Sequence, residues 1–132
     1  KRKDGKIVLD SRLVVQNMAE QDLQEIILYL NPTLDVKSIE VNGSKTVFEK
    51  EHQVIRVKET LAIGDSVCIH VMCEGKIDEN VCYLDIPQES ILKTKYNQYL
   101  ACRFGKRYIF ENDDFTLLIP EVLWYPMVKP QL

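Results

Sequence analysis

Two histidines and four cysteines are the first candidates for metal or thiol chemistry: His52, His70, Cys68, Cys73, Cys82 and Cys102. A structural zinc site wants cysteines in tight pairs with histidines close by, because four donors must converge on one tetrahedral ion. No C-x-x-C occurs, and the cysteine spacing is uneven. The cysteines therefore read as buried thiols, with one disulfide open to an oxidising compartment. No H-E-x-x-H places two histidines on one helix face, and no G-x-S-x-G, P-loop or G-x-G-x-x-G is present. The acidic pairs Asp78-Glu79 and Asp113-Asp114 are adjacent, and adjacent strand residues point to opposite faces, so they make poor catalytic couples. His70 sits between Cys68 and Met72 in an alternating run and reads as a satisfied or half-exposed histidine. With no partnered nucleophile and no metal motif, the chain reads as non-catalytic by itself.

Charge narrows the partners. The net charge is −3, and lysines and arginines are scattered. Nucleic-acid binding needs a concentrated basic face, so that class is set aside. The opening KRKDGK is the one basic cluster; it is a solvated start or a basic flank beside a membrane segment. No apolar run approaches the roughly 20 residues of a membrane span, and none has the form of a signal peptide. The first residue is Lys, so the chain reads as a piece of a longer protein.

The elements that position these residues are mostly strands. IVLDSRLVV, residues 7–15, is rich in aliphatic and β-branched residues. LQEIILYL, residues 23–30, puts Ile26, Leu28 and Leu30 on one face and stops at the turn signal Asn31-Pro32. Between residues 34 and 50, Asn42-Gly43 marks a hairpin, because both residues tolerate positive φ. Upstream of it, Leu34 and Val36 share one parity while Ile39 and Val41 share the other. That switch predicts a bulge near Lys37 and Ser38. HQVIRVK, residues 52–58, reads as another strand, and LAIGD, residues 61–65, as a loop turning at Gly64-Asp65. SVCIHVMCEG then puts Val67, Ile69, Val71 and Cys73 on one face, with Cys68, His70 and Met72 on the other. Short strands with frequent turns, and no helical crossover, predict an all-β antiparallel β-sandwich.

The last third differs. QESILKTKYNQYLA, residues 88–101, carries Leu92, Tyr96, Tyr99 and Leu100 at helical spacing, started by Pro87, and predicts one short helix or irregular segment. KRYIFE and FTLLI read as a hairpin around residues 112–114. Eight of the eleven aromatics lie between Tyr96 and Tyr125. Trp124 and Tyr125 sit in FTLLIPEVLWYP, where the chain leaves the domain, and such side chains bury a large area at little rotamer cost. The last third therefore packs densely in the core or makes an interface; an N-terminal domain that met a neighbour here would expose an apolar patch near Trp124 and Tyr125.

Two segments together, LAIGDSVCIHVMCEGKIDENVCYLDI (61–86) and FGKRYIFENDDFTLLIPEVLWYP (104–126), resemble the N-terminal β-sandwich domain of M1-family zinc aminopeptidases. The likeness is greatest to a bacterial branch in which an M1-like domain is joined to an ABC-2-type transporter permease. The resemblance implies a sandwich over residues 1–126, with 127–132 starting a linker to a downstream catalytic domain of the same chain. It implies no cofactor in this piece, zinc in that downstream domain, and a wall of the substrate cavity shaped by the sandwich. A membrane-associated parent with this domain outside the cytoplasm also follows from it. In typical members the segment before the exit supplies a glutamine and a glutamate that help hold the substrate's free amino group. Here no glutamine stands there, and Glu121 is the only nearby acid. Glu121, Trp124 and Tyr125 are thus the candidate substrate-side or interdomain residues. The family's Gly-rich aromatic motif is replaced by Val81-Cys82-Tyr83-Leu84-Asp85. The alternatives are a stand-alone immunoglobulin-like binding or adhesion sandwich, which shares the strand pattern, and a cytosolic interaction domain.

Overall fold

The computed structural model describes residues 2–3, 6–78 and 123–128. The helix expected at 88–101, the aromatic hairpin before Pro120, Cys82, Cys102, the acids Glu79, Asp113 and Asp114, and Glu121 lie outside the described residues. The elements are β1 (Arg2–Lys3), β2 (Lys6–Gln16), β3 (Ile26–Tyr29), β4 (Leu34–Val41), β5 (Ser44–Lys45), β6 (Phe48–Glu51), β7 (Val54–Val57) and β8 (Ser66–Gly75). They form a five-stranded sheet of order β1-β2-β8-β4-β5 and a three-stranded sheet of order β3-β7-β6. Every pairing is antiparallel. The described chain is an all-β, sandwich-like domain, as the strand pattern predicts.

Alternation decides which face is buried. On β8, Ile69, Val71 and Cys73 are buried, while Cys68 and His70 point outward. On β2, Ile7 and Val15 are buried. From the other sheet come Ile26, Leu28, Ile55 and Val57, each at most 1% exposed, and all but Ile7 join one core cluster. Each such side chain taken out of water contributes about 1.5–3 kcal/mol.

The turns follow backbone chemistry. Asn42 and Gly43 have φ of 51° and 83° and join β4 to β5 in a two-residue hairpin. The predicted bulge is real: the β4–β8 register shifts between Val36 and Ser38, which lets Leu34 and Ile39 both face the core. Boundaries differ: the strand expected at 23–30 is confined to Ile26–Tyr29, with Leu23 in an isolated bridge to Leu61, and the strand expected at 52–58 runs only from Val54 to Val57. His52 and Gln53 form the turn between β6 and β7, with His52 at φ 51°, and do not start a strand. Pairing of Glu51 with Val54 forces that reversal, and histidine tolerates the left-handed region better than most residues.

β8 runs the length of the sandwich, about 30 Å at ~3.3 Å per residue. Its two ends are each secured by a buried asparagine. Asn17 sits at the first end and Asn31 at the second, 1% and 0% exposed.

Candidate functional site

At the end of β8, three segments converge on Asn31. Its Nδ2 donates to the Asp78 carbonyl at 2.9 Å, and its Oδ1 accepts the Asp78 amide at 3.0 Å. The same Oδ1 accepts the Thr33 amide at 3.3 Å, closing an Asx turn over Pro32. The Thr33 hydroxyl reaches both Asn31 Oδ1 and the Lys76 carbonyl, so its single proton serves one of them at a time. It also accepts the Asp78 amide at 3.0 Å. Gly75 is required here by space: a Cβ would collide with the Thr33 carbonyl oxygen.

The third segment is 123–128, the run that the sequence expects as the exit. The Asn31 amide donates to the Leu123 carbonyl at 2.8 Å. Tyr29 and Met127 then exchange amide-to-carbonyl bonds in both directions, at 2.8 and 3.1 Å, which lays the exit chain along β3. Leu123 has φ of 55°, an uncommon conformation for a bulky side chain. Such strain persists when the surroundings over-determine it; the Leu123 side chain is buried and its carbonyl is bonded to Asn31.

Of the three candidate site residues, Trp124 and Tyr125 are described and Glu121 is not. Their rings meet edge to face, with centroids 4.7 Å apart and an interplanar angle of 67°. The expected exposed patch is narrower than the sequence implies. Both rings are half-buried, Pro126 is buried, and Val128 is the one large apolar residue of the segment that is exposed. The cause is that the segment folds back onto β3 and packs its rings on each other.

On the outer face of the large sheet, His70 bridges neighbouring strands. Its Nε2 lies 2.6 Å from Asp10 Oδ1 and its Nδ1 3.5 Å from Glu40 Oε2. Hydrogen bonding to Asp10, and then to Glu40, raises its pKa, with loss of solvent and then Arg12 opposing. Both ring nitrogens thus face carboxylates. Cys68 is exposed and Cys73 buried, both as free thiols, and burial pushes Cys73 up to about 11. Lys50 donates to the Pro32 carbonyl at 2.7 Å, and burial lowers its pKa. Among the described residues no group of three or more His, Cys, Asp or Glu is placed to hold a metal ion. Nor is any helix there long and apolar enough to cross a membrane.

Two solved structures share this fold. An M1 zinc metallopeptidase from Deinococcus radiodurans, in a variant bound to a Tyr-Ser-Ala substrate, matches 56% of this chain and 17% of its own, at 21% identity and a TM-score of 0.50. A two-domain M1 zinc metallopeptidase variant bound to L-tryptophan matches 63% of this chain and 19% of its own, at 21% identity and a TM-score of 0.52. The chain spans less than a fifth of the length of these enzymes, and the likeness is one of fold. No protein-family model and no curated protein matches the chain.

Sequence reasoning found the aromatic pair but missed the asparagines. Asn31-Pro32 is legible as a turn. Its side-chain partner Asp78 lies 47 residues away, and no local pattern announces it.

Proposed function

We propose that this chain is the non-catalytic N-terminal sandwich of an M1-like zinc metallopeptidase, bracing the catalytic domain and forming part of its substrate cavity wall. The observation that carries this reading is the segment 123–128: bonded to Asn31 and Tyr29, with Leu123 at positive φ, it holds the half-buried Trp124–Tyr125 ring pair in a set place. A rigid aromatic handover suits a domain that must hold a neighbour at a set angle. The sandwich fold shared with the two M1 metallopeptidases supports the same assignment.

Zinc belongs outside this chain in that reading. Among the described residues no group of three or more His, Cys, Asp or Glu is placed to hold a metal ion. The downstream domain would supply the metal and the aminopeptidase chemistry, with a peptide as substrate. Glu121, Trp124 and Tyr125 are its proposed substrate-side or interdomain contacts. The finer proposal is a bacterial, membrane-associated parent fused to an ABC-2-type permease, with this domain outside the cytoplasm. Its support is the resemblance of segments 61–86 and 104–126, together with the basic flank KRKDGK.

The test is the native reading frame beyond Leu132. An H-E-x-x-H about a hundred residues on, followed by a further Glu, is expected. The longer protein should then bind zinc, release N-terminal residues from peptides and sediment with membranes. A frame that carries no such motif overturns the reading and leaves a stand-alone binding sandwich.

A further inference from the structure

We propose that Asn31 is the positioning residue of the exit segment: it holds Leu123–Met127 against β3 and so sets the direction in which the Trp124–Tyr125 pair faces a neighbouring domain. The interdomain role rests on the function proposed above, while the positioning itself is a property of this chain alone.

The exit segment has two backbone anchors among the described residues, and both lie on the stretch that ends in Asn31. One is the reciprocal Tyr29–Met127 pair, and the other is the Asn31 amide on the Leu123 carbonyl. The second anchor sits at the bend itself, because Leu123 is the residue at positive φ. A bond to the carbonyl of a strained residue opposes its relaxation to the extended form, which would swing everything after it. The Asn31 amide can serve there only if its own backbone is held. The Asn31 carbonyl accepts the Leu34 amide at 3.1 Å, and the side chain adds the long-range clamp, to both backbone polar groups of Asp78 and to the Thr33 amide. Asn31 therefore couples the tail of β8 to the exit. A valine or leucine at this site could fill the volume but could not clamp Asp78. An aspartate could accept the Asp78 amide but could not donate to its carbonyl.

Asn17 makes the contrast. It is equally buried, closes the same Asx turn onto Ala19, and donates to the Gln21 and Leu61 carbonyls, yet it lies at the far end of β8. Loss of Asn17 should loosen the fold without turning the exit.

Trp124 is the only tryptophan, so its emission reports the exit segment directly. In the full 132-residue chain, Asn31→Ala should shift Trp124 emission to the red and raise its acrylamide quenching at least twofold. Amide exchange at Tyr29 and Met127 should accelerate tenfold or more while the strand circular dichroism is retained. Asn17→Ala should leave Trp124 emission and quenching at wild-type values, and should accelerate Tyr29 and Met127 exchange by no more than its loss of global stability accounts for. Should Asn31→Ala fail to fold, Thr33→Val serves, since it removes the hydroxyl contacts to Lys76 and Asp78 at similar volume; a smaller shift in the same direction is expected. Unchanged Trp124 signals in whichever Asn31 or Thr33 variant folds overturn the proposal. So does an equal shift in Asn17→Ala, which would mean general loosening. None of these readouts depends on a downstream domain, so a failed interdomain reading and a failed positioning role are separable.

Discussion

Two buried asparagines do similar local work at opposite ends of β8, and the ends differ in what they bind. At the Asn17 end the partners are loops of the sandwich itself. Asn17 donates to the Leu61 carbonyl, its amide to Asp65, and Gly64 donates back to Asn17. At the Asn31 end one partner, Leu123, belongs to the segment 123–128, proposed above as the exit. The same Asx-turn chemistry therefore closes the fold at one end and stands beside the anchor of the segment 123–128 at the other. The side chain is equal in both cases; its consequence depends on what the topology brings to it.

The largest effect should be blind to this difference. Ile69 lies at the centre of β8, fully buried, and Ile69→Ala should cost about 2–5 kcal/mol in urea unfolding. Protection from hydrogen exchange should fall at both ends alike. If only one end responds, the sandwich does not unfold as a unit and the comparison of ends must be redrawn.

Next come the asparagines. Truncation to Ala strands buried backbone groups, at about 1–3 kcal/mol for each left unsatisfied. Both variants should lose stability comparably, with unchanged m-values, while the exit signals separate them. A large difference in stability between the two would show that one hub carries more than its hydrogen bonds suggest.

The glycines sharpen the contrast further. Gly75→Ala meets the Thr33 carbonyl and should cost about 1–3 kcal/mol through backbone displacement. Gly64, at the Asn17 end, has open space around it but a φ of 78°, so Gly64→Ala should cost about 1–2 kcal/mol from conformation alone. Asparagine tolerates that conformation, so Gly64→Asn should restore most of the loss, whereas Gly75→Asn should restore none. Thermal melts of the four variants decide it.

The smallest effect belongs to the middle of the outer face. His70 holds its proton more tightly in the fold, between Asp10 and Glu40, than an unfolded histidine near 6.5 would. Folding is therefore favoured by this group fully below about pH 6.5, and the contribution fades as pH rises through the raised folded value. Solvent reaches the site, so the change should be modest, and His70→Gln should abolish it. Urea midpoints at pH 6 and pH 8 measure it. A midpoint that rises with pH in the wild type, and not in the variant, would reverse the assignment.

Much of this was open to reading along the chain. Ile26, Leu28 and Leu30 announced one buried face, and the parity switch between Val36 and Ile39 announced the bulge, because strand period and burial are local properties. Asn42-Gly43 announced its hairpin because both residues accept positive φ. The turn at His52-Gln53 carried no such signal; it follows from the pairing of β6 with β7. The resemblance of the flanking segments pointed to Trp124 and Tyr125 as residues of interest. By itself, then, the sequence determined the all-β class, the inward faces, the bulge and one hairpin, since each depends on neighbours a few residues apart. Tertiary structure alone decided that Asn31 meets Asp78 and Leu123, that Gly75 must be bare for Thr33 to approach, and that Met127 lies along Tyr29. Those contacts join residues distant in sequence, and a hydrogen bond is set by where two groups arrive in space, which no local period encodes.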